Sequence, residues 1–179
     1  MKFLTLIASI FIITSCGNHT HDPMLEGEPI LQPVADVKTN IDSSLEAWHK
    51  AAAEANFDAY FNLMTKDGVF IGTDATENWQ NEDFKKFSKP YFDNGKAWSF
   101  STLERNIYVG EYQDLGWFDE LLDTQMGICR GSGVVEKDSL GWKVKHYVLS
   151  IAVPNENVAE LTKLKSEFDK TLITELKSN

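Results

Sequence analysis

Proton chemistry needs an imidazole with a carboxylate beside it, and the C-terminal half of the chain contains both. His146 lies midway along Trp142–Pro154, WKVKHYVLSIAVP, a run made strand-like by Val144, Val148 and Ile151, preceded by Gly141 and stopped by Pro154. Histidine titrates near neutrality, so a carboxylate neighbour would make His146 a general base able to take a proton next to a carbonyl. Asp119 and Glu120 are the candidate acids; as consecutive residues of one strand they point to opposite faces. The pattern leaves open which one points inward, because Trp117, Asp119 and Leu121 are as apolar a set as Phe118, Glu120 and Leu122. A buried carboxylate requires a partner, and Arg130, sharing a strand side with Ser132 and Val134, is the expected one; its other candidate role is anchoring a substrate.

Other residues suit binding rather than proton transfer. Trp79, Tyr91, Trp98 and Trp117 offer broad flat surfaces matched to a ring-shaped apolar ligand. His49 follows Trp48 on a helix and is expected at solvent or a pocket rim. His19, His21 and Asp22 have metal-ligating types but stand in a stretch that would not fix their geometry, so neither a metal nor a cofactor is expected. Cys129 reads as a small buried hydrophobe.

The elements that position these groups follow from periodicity. Ile41, Leu45, Trp48, Ala52 and Ala55 recur at helical spacing after a capping-box pattern at Thr39–Asp42. Asn56 caps a second helix with Phe57, Tyr60, Phe61 and Met64 inward. Lys66-Asp67-Gly68 forms a turn, and Val69–Ile71 a short strand. A third helix opens at Asn81 or Glu82, buries Phe84, Phe87 and Tyr91, and closes at Asn94-Gly95. Segments Trp98–Val109, Leu115–Thr124, Ile128–Lys137 and Trp142–Pro154 then read as an antiparallel meander. After Pro154 a last helix carries the stripe Val158, Leu161, Leu164, Phe168, Leu172, Leu176. Helices followed by a meander make an α+β layout.

The first residues belong to export. Lys2 precedes an apolar run from Phe3 to Ile13 that is shorter than the ~20 residues a membrane-spanning helix needs. Ile13-Thr14-Ser15-Cys16-Gly17 resembles the lipobox of bacterial lipoproteins, which implies cleavage before Cys16 and acylation there, giving an exported, periplasm-facing protein anchored to a bacterial membrane. With several acyl chains such an anchor is stable, each buried methylene contributing ~0.8 kcal/mol. The expected organisation is a signal peptide at 1–15, a tether at 16–38, a domain at 39–155 and a terminal helix at 156–179. A net charge of −10 without a basic cluster argues against nucleic acid as a partner.

Ala53–Asp74, Glu77 and Trp79, the aromatic third helix, Trp117–Glu120, Arg130–Val134 and Gly141–Asn155 together resemble a SnoaL-like domain of the superfamily that includes nuclear transport factor 2 and ketosteroid isomerase. The resemblance implies a cone: a strongly curved antiparallel sheet wrapped on three helices, enclosing a pocket, with homodimers formed through the outer sheet face in many members. It implies that His146 and Ser150 face the pocket, leaving Tyr147, Leu149 and Ile151 outside, and that the Asp74–Trp79 loop closes one pocket end. Asp74 is then either a turn-former or a ligand contact. No activity follows from the resemblance, since the superfamily hosts isomerases, cyclases, dehydratases and proteins without chemistry. The expectation is a binder of a small apolar or carbonyl-containing ligand, with two alternatives: an isomerase, cyclase or hydratase using His146 and a carboxylate, and a non-catalytic assembly module.

Overall fold

The computed structural model describes residues 31–178. The signal peptide, Cys16, and the histidines at 19 and 21 lie outside the described residues. The order of elements is α1 (Val34–Ala53), α2 (Phe57–Asn62), β1 (Met64–Ile71), β2 (Asn78–Gln80), α3 (Asn81–Asp93), β3 (Phe100–Val109), β4 (Leu115–Thr124), β5 (Gly127–Asp138), β6 (Gly141–Ile151) and α4 (Val158–Ser178). The six strands form one sheet in the order β2-β1-β6-β5-β4-β3. β3 to β6 are the expected meander, and β1 joins it by pairing parallel to β6.

The helices close over the inner face of this curved sheet. α1 contributes Val37, Ile41, Leu45, Trp48 and Ala52, an i, i+4, i+3 progression that buries one stripe. It starts at Val34 behind Pro33, ahead of the expected Thr39, because proline suits a helix start and Val37 extends the buried stripe by one turn. Asn56 caps α2 as expected, its side chain accepting from the Ala59 N–H at 3.1 Å. Lys66-Asp67-Gly68 is not a turn: β1 runs through it with an irregularity between Met64 and Val69. α3 buries Phe84, Ser88 and Phe92, and leaves Phe87 and Tyr91 outside, against expectation. The small Ser88 at the centre of that stripe hides its true face from an apolar count.

Two β-bulges decide which polar side chains enter the cone. On β6, Val135 pairs with Val144 but Val134 pairs with His146, so Lys145 is an extra residue. Alternation therefore reverses there: Trp142 and Val144 point inward before the bulge, Tyr147 and Leu149 after it. This corrects the expectation for His146 and Ser150, which sit on the outer side, and for Tyr147, which is fully buried. The bulged Lys145 is tied down by Glu136 at 2.6 Å and Asp67 at 3.0 Å. On β3, Thr102 pairs with Leu122 and Glu104 with Leu121, leaving Leu103 as the extra residue. Thr102 and Arg105 consequently share the inward face, although a regular strand would place them on opposite faces.

Candidate functional site

Inside the cone the sequence places one carboxylate. Glu120 is 1% exposed between the inward-facing Phe118 and Leu122, which settles the choice between it and Asp119. Its Oε1 accepts from His49 Nε2 and from the Tyr147 hydroxyl, both at 2.9 Å. Its Oε2 accepts from Arg105 Nε at 2.9 Å, and Arg105 Nη2, which donates to Thr102 Oγ1, completes the ion pair at 2.8 Å. Arg105 extends through Nη1 to Asp42 at 2.6 Å and Glu46 at 2.9 Å at the surface of α1. The network therefore binds α1, β3, β4 and β6 together.

Burial alone would raise the Glu120 carboxyl, but the His49 hydrogen bond and the charges of His49 and Arg105 outweigh it and hold the group below the usual carboxylate range. With Glu120 ionised, His49 presents Nε2–H to it. Burial and the Glu120 charge push the Tyr147 phenol well above its ordinary value, so it stays a donor. A Cβ on Gly131 would come within 2.3 Å of the Tyr147 hydroxyl and 2.8 Å of Glu120 Oε1, so this part of the network requires a bare backbone on β5. Of the two places expected for His49, solvent and a pocket rim, the first is excluded by its 4% exposure, while the residue does line an open groove of about 640 Å³ between α1 and β3. The buried carboxylate is paired with Arg105, which the Leu103 bulge turns inward, and not with the expected Arg130. Arg130 is instead 3.7 Å from Asp119 on the outer sheet face, both partly exposed.

A cavity of about 150 Å³ opens between the β1–β2 loop, α3, the β4–β5 turn and β6. Phe70, Phe84, Trp98, Phe100, Met126 and Leu149 form its apolar walls, and Gly72, Thr73, Glu77 and Trp79 line its loop side. Glu77 is the one charged residue on these walls. Trp98 also packs edge-on against Tyr60 and Phe92, and Trp79 stacks on Phe87 at 4.8 Å, so both are held by rings rather than by loop backbone. The deeper cone is filled by Trp48, Tyr60 and Tyr147, with Trp48 stacked on Tyr60 at 4.9 Å. This sets the small size of the opening.

The remaining candidates are dispersed. Asp74 is a turn-former: its Oδ1 accepts from the Thr76 N–H at 2.8 Å and hydroxyl at 2.6 Å. Asp74 and Ser150 line a separate open groove against α4. Tyr91 is exposed on α3, and Trp117 lies on the outer face stacked on Tyr108 at 5.8 Å. His146 has no carboxylate partner among the described residues, so the structure does not bring it to Asp119 or Glu120. Among the described residues no cluster of three or more His, Cys, Asp or Glu is arranged to hold a metal.

Comparison with known proteins places this architecture. No curated protein matches the chain. Among solved structures, it is similar to a protein of the nuclear transport factor 2-like family from Streptomyces avermitilis described as a candidate dehydratase (12% identity, 69% of this chain and 100% of that one, TM-score 0.59). It is also similar to a candidate aromatic ring hydroxylase from Novosphingobium aromaticivorans (18% identity, 69% and 94%, TM-score 0.58). A third, from Pseudomonas putida, is a nuclear transport factor 2-like protein of unknown function (13% identity, 71% and 94%, TM-score 0.56). At these identities the likeness establishes the fold, the cone of the nuclear transport factor 2-like proteins. The profile of the SnoaL-like domain matches residues 41–154, from the first buried turns of α1 to the end of the β6 strand and its proline, and the chain belongs to that family.

Proposed function

We propose that this SnoaL-like domain binds one small, flat, apolar molecule at the mouth of its cone, and that a lipid on Cys16 holds it at the surface of a bacterial membrane. The observation that carries the binding reading is the 150 Å³ cavity walled by aromatic and aliphatic side chains, with Glu77 as the single charge on its walls. A space of that size suits one ring or a fused pair, and its walls offer faces for stacking. Affinity for so few atoms is modest, with Kd on the order of 0.1–1 mM for indole or 2-naphthol.

The chemistry supports holding rather than transforming. The acid and base that do meet, Glu120 and His49, are both buried, and Glu120 is further engaged by Arg105 and Tyr147. Every Glu120 oxygen is engaged, so proton abstraction there would first break a structural contact.

Titration of the chain with indole and 2-naphthol by calorimetry tests the pocket. Met126→Trp, which fills the cavity from the β4–β5 turn, is expected to abolish the heat of binding while leaving the thermal midpoint near that of the parent. Equal binding by parent and variant would place the ligand elsewhere and reject this reading. For the anchor, the lipobox-like Ile13–Cys16 stretch is the support, and Cys16→Ser is expected to move the protein into the soluble fraction. Unchanged membrane fractionation would reject the anchor.

A further inference from the structure

The open groove between α1 and β3 is separate from the proposed ligand cavity and shares only Phe100 with it. Arg105 and His49 reach this groove from the buried Glu120 network, and Asp42 and Glu46, each about half exposed, line it from α1. Its charges do not balance. One guanidinium, that of Arg105, serves three carboxylates, Glu120, Asp42 and Glu46, and Glu104 adds a further negative charge to the walls. The other cation on these walls, Lys50, is occupied by Glu54 at 3.7 Å. Asp42 and Glu46 are engaged through Oδ1 and Oε1, while Asp42 Oδ2 and Glu46 Oε2 accept no hydrogen bond from the described residues.

The buried histidine points to what completes the groove. His49 is almost wholly enclosed, and its Nε2 is committed to Glu120. Its Nδ1 makes no hydrogen bond among the described residues, yet it is not one of the sealed polar atoms left without a partner. Nδ1 therefore reaches solvent, and it does so where His49 lines the groove. In the neutral ring a proton on Nε2 leaves a lone pair on Nδ1. A lone pair set among under-neutralised carboxylates calls for an N–H donor that carries positive charge. Among the described residues no three His, Cys, Asp or Glu are arranged to hold a metal. Phe100, edge-on to His49 at 5.8 Å, and the exposed Leu103 at the bulge add apolar surface beside the acids, which suits carbon attached to the cation.

We propose that the α1–β3 groove binds the ammonium group of a small organic amine, which donates to His49 Nδ1 and to the carboxylates of Glu46 and Asp42 while its carbon chain lies along Phe100 and Leu103.

Nuclear magnetic resonance of the whole chain carrying Cys16→Ser tests it, with n-butylammonium chloride titrated at constant ionic strength and 1-butanol as the uncharged isostere. The His49 Cε1–H signal, identified by its nuclear Overhauser contact with the Phe100 ring, is expected to shift saturably with the amine and not with the alcohol, with Kd on the order of 1–10 mM. Glu46→Gln is expected to weaken binding at least about threefold. Glu160→Gln, the same loss of charge on α4, is expected to leave binding unchanged. No saturable shift, an equal shift with 1-butanol, or binding untouched by Glu46→Gln would overturn the proposal. Equal weakening by Glu160→Gln would overturn it as well, by reducing it to the general attraction of a cation to a chain of net charge −10.

Discussion

Glu120 is engaged on both oxygens, and its value to the fold can be measured one partner at a time. Removing one member of a buried ion pair leaves the other charge unsatisfied, so Glu120→Gln is expected to cost about 3–5 kcal/mol at neutral pH. Tyr147→Phe removes one hydrogen bond to a charged acceptor and is expected to cost about 1.5–3 kcal/mol, read from urea midpoints. Gly131→Ala drives a methyl into the Tyr147 hydroxyl and is expected to cost about 1–3 kcal/mol by overpacking. Because the closest clash is with that hydroxyl, Gly131→Ala should cost less in a Tyr147→Phe background, and additive losses in the double-mutant cycle would contradict the contact. The pH dependence has a fixed sign. A carboxyl held below its unfolded value stabilises fully above that value, near pH ~4.3, and the contribution disappears as pH falls through the depressed folded value. Parent and Glu120→Gln stabilities are therefore expected to converge on acidification, and a gap that stays constant between neutral pH and about pH 3 would be inconsistent with an ionised Glu120.

At the scale of elements, the bulges carry the account. Deleting Lys145 makes β6 a regular strand and forces either Trp142 and Val144 or Tyr147 and Leu149 out of the core. Loss of the cooperative thermal transition is the expected result; a melt like that of the parent would mean the bulge is dispensable. These same bulges mark where the sequence ceased to be legible. The helices and the meander follow from periodicity and turn residues, whereas the three-residue β2 lies in what reads as a loop, and Asn56 and Gly95 punctuate the chain where expected. Strict alternation, however, predicts side-chain direction only as far as the first extra residue. The resemblance sets His146 and Ser150 inward, and alternation then leaves Tyr147 outside, because Lys145 carries no local signal of a bulge, its anchors being Asp67 and Glu136 on two other strands. Arg105 was missed for the same reason, since Leu103 looks like any strand residue. A signal for the network did exist in Gly131, which stands in mid-strand where a glycine indicates close approach. Trp79 and Trp98 were readable as broad apolar surfaces, and they line the cavity; which aromatics would reach it depended on which face of α3 turned inward.

The whole molecule is a cone packed from the inside by its own rings, and the 150 Å³ cavity is a mouth left beside them. A curved sheet of six strands holds this mouth rigidly, because Phe70 and Leu149 rise from β1 and β6 while Trp98 and Phe84 are stacked behind them. A ligand bound there, as proposed, would be selected by size and flatness, with Glu77 available to a single polar substituent. The most direct measurement is ligand-observed saturation-transfer NMR of 2-naphthol at about 1 mM with the purified protein, set beside Met126→Trp at the same concentration. The account predicts a transferred signal from the parent that is lost, or weakened at least about tenfold, in the variant, as expected when binding loses 1.4 kcal/mol or more. Equal signals from both proteins, or none from the parent, would contradict it.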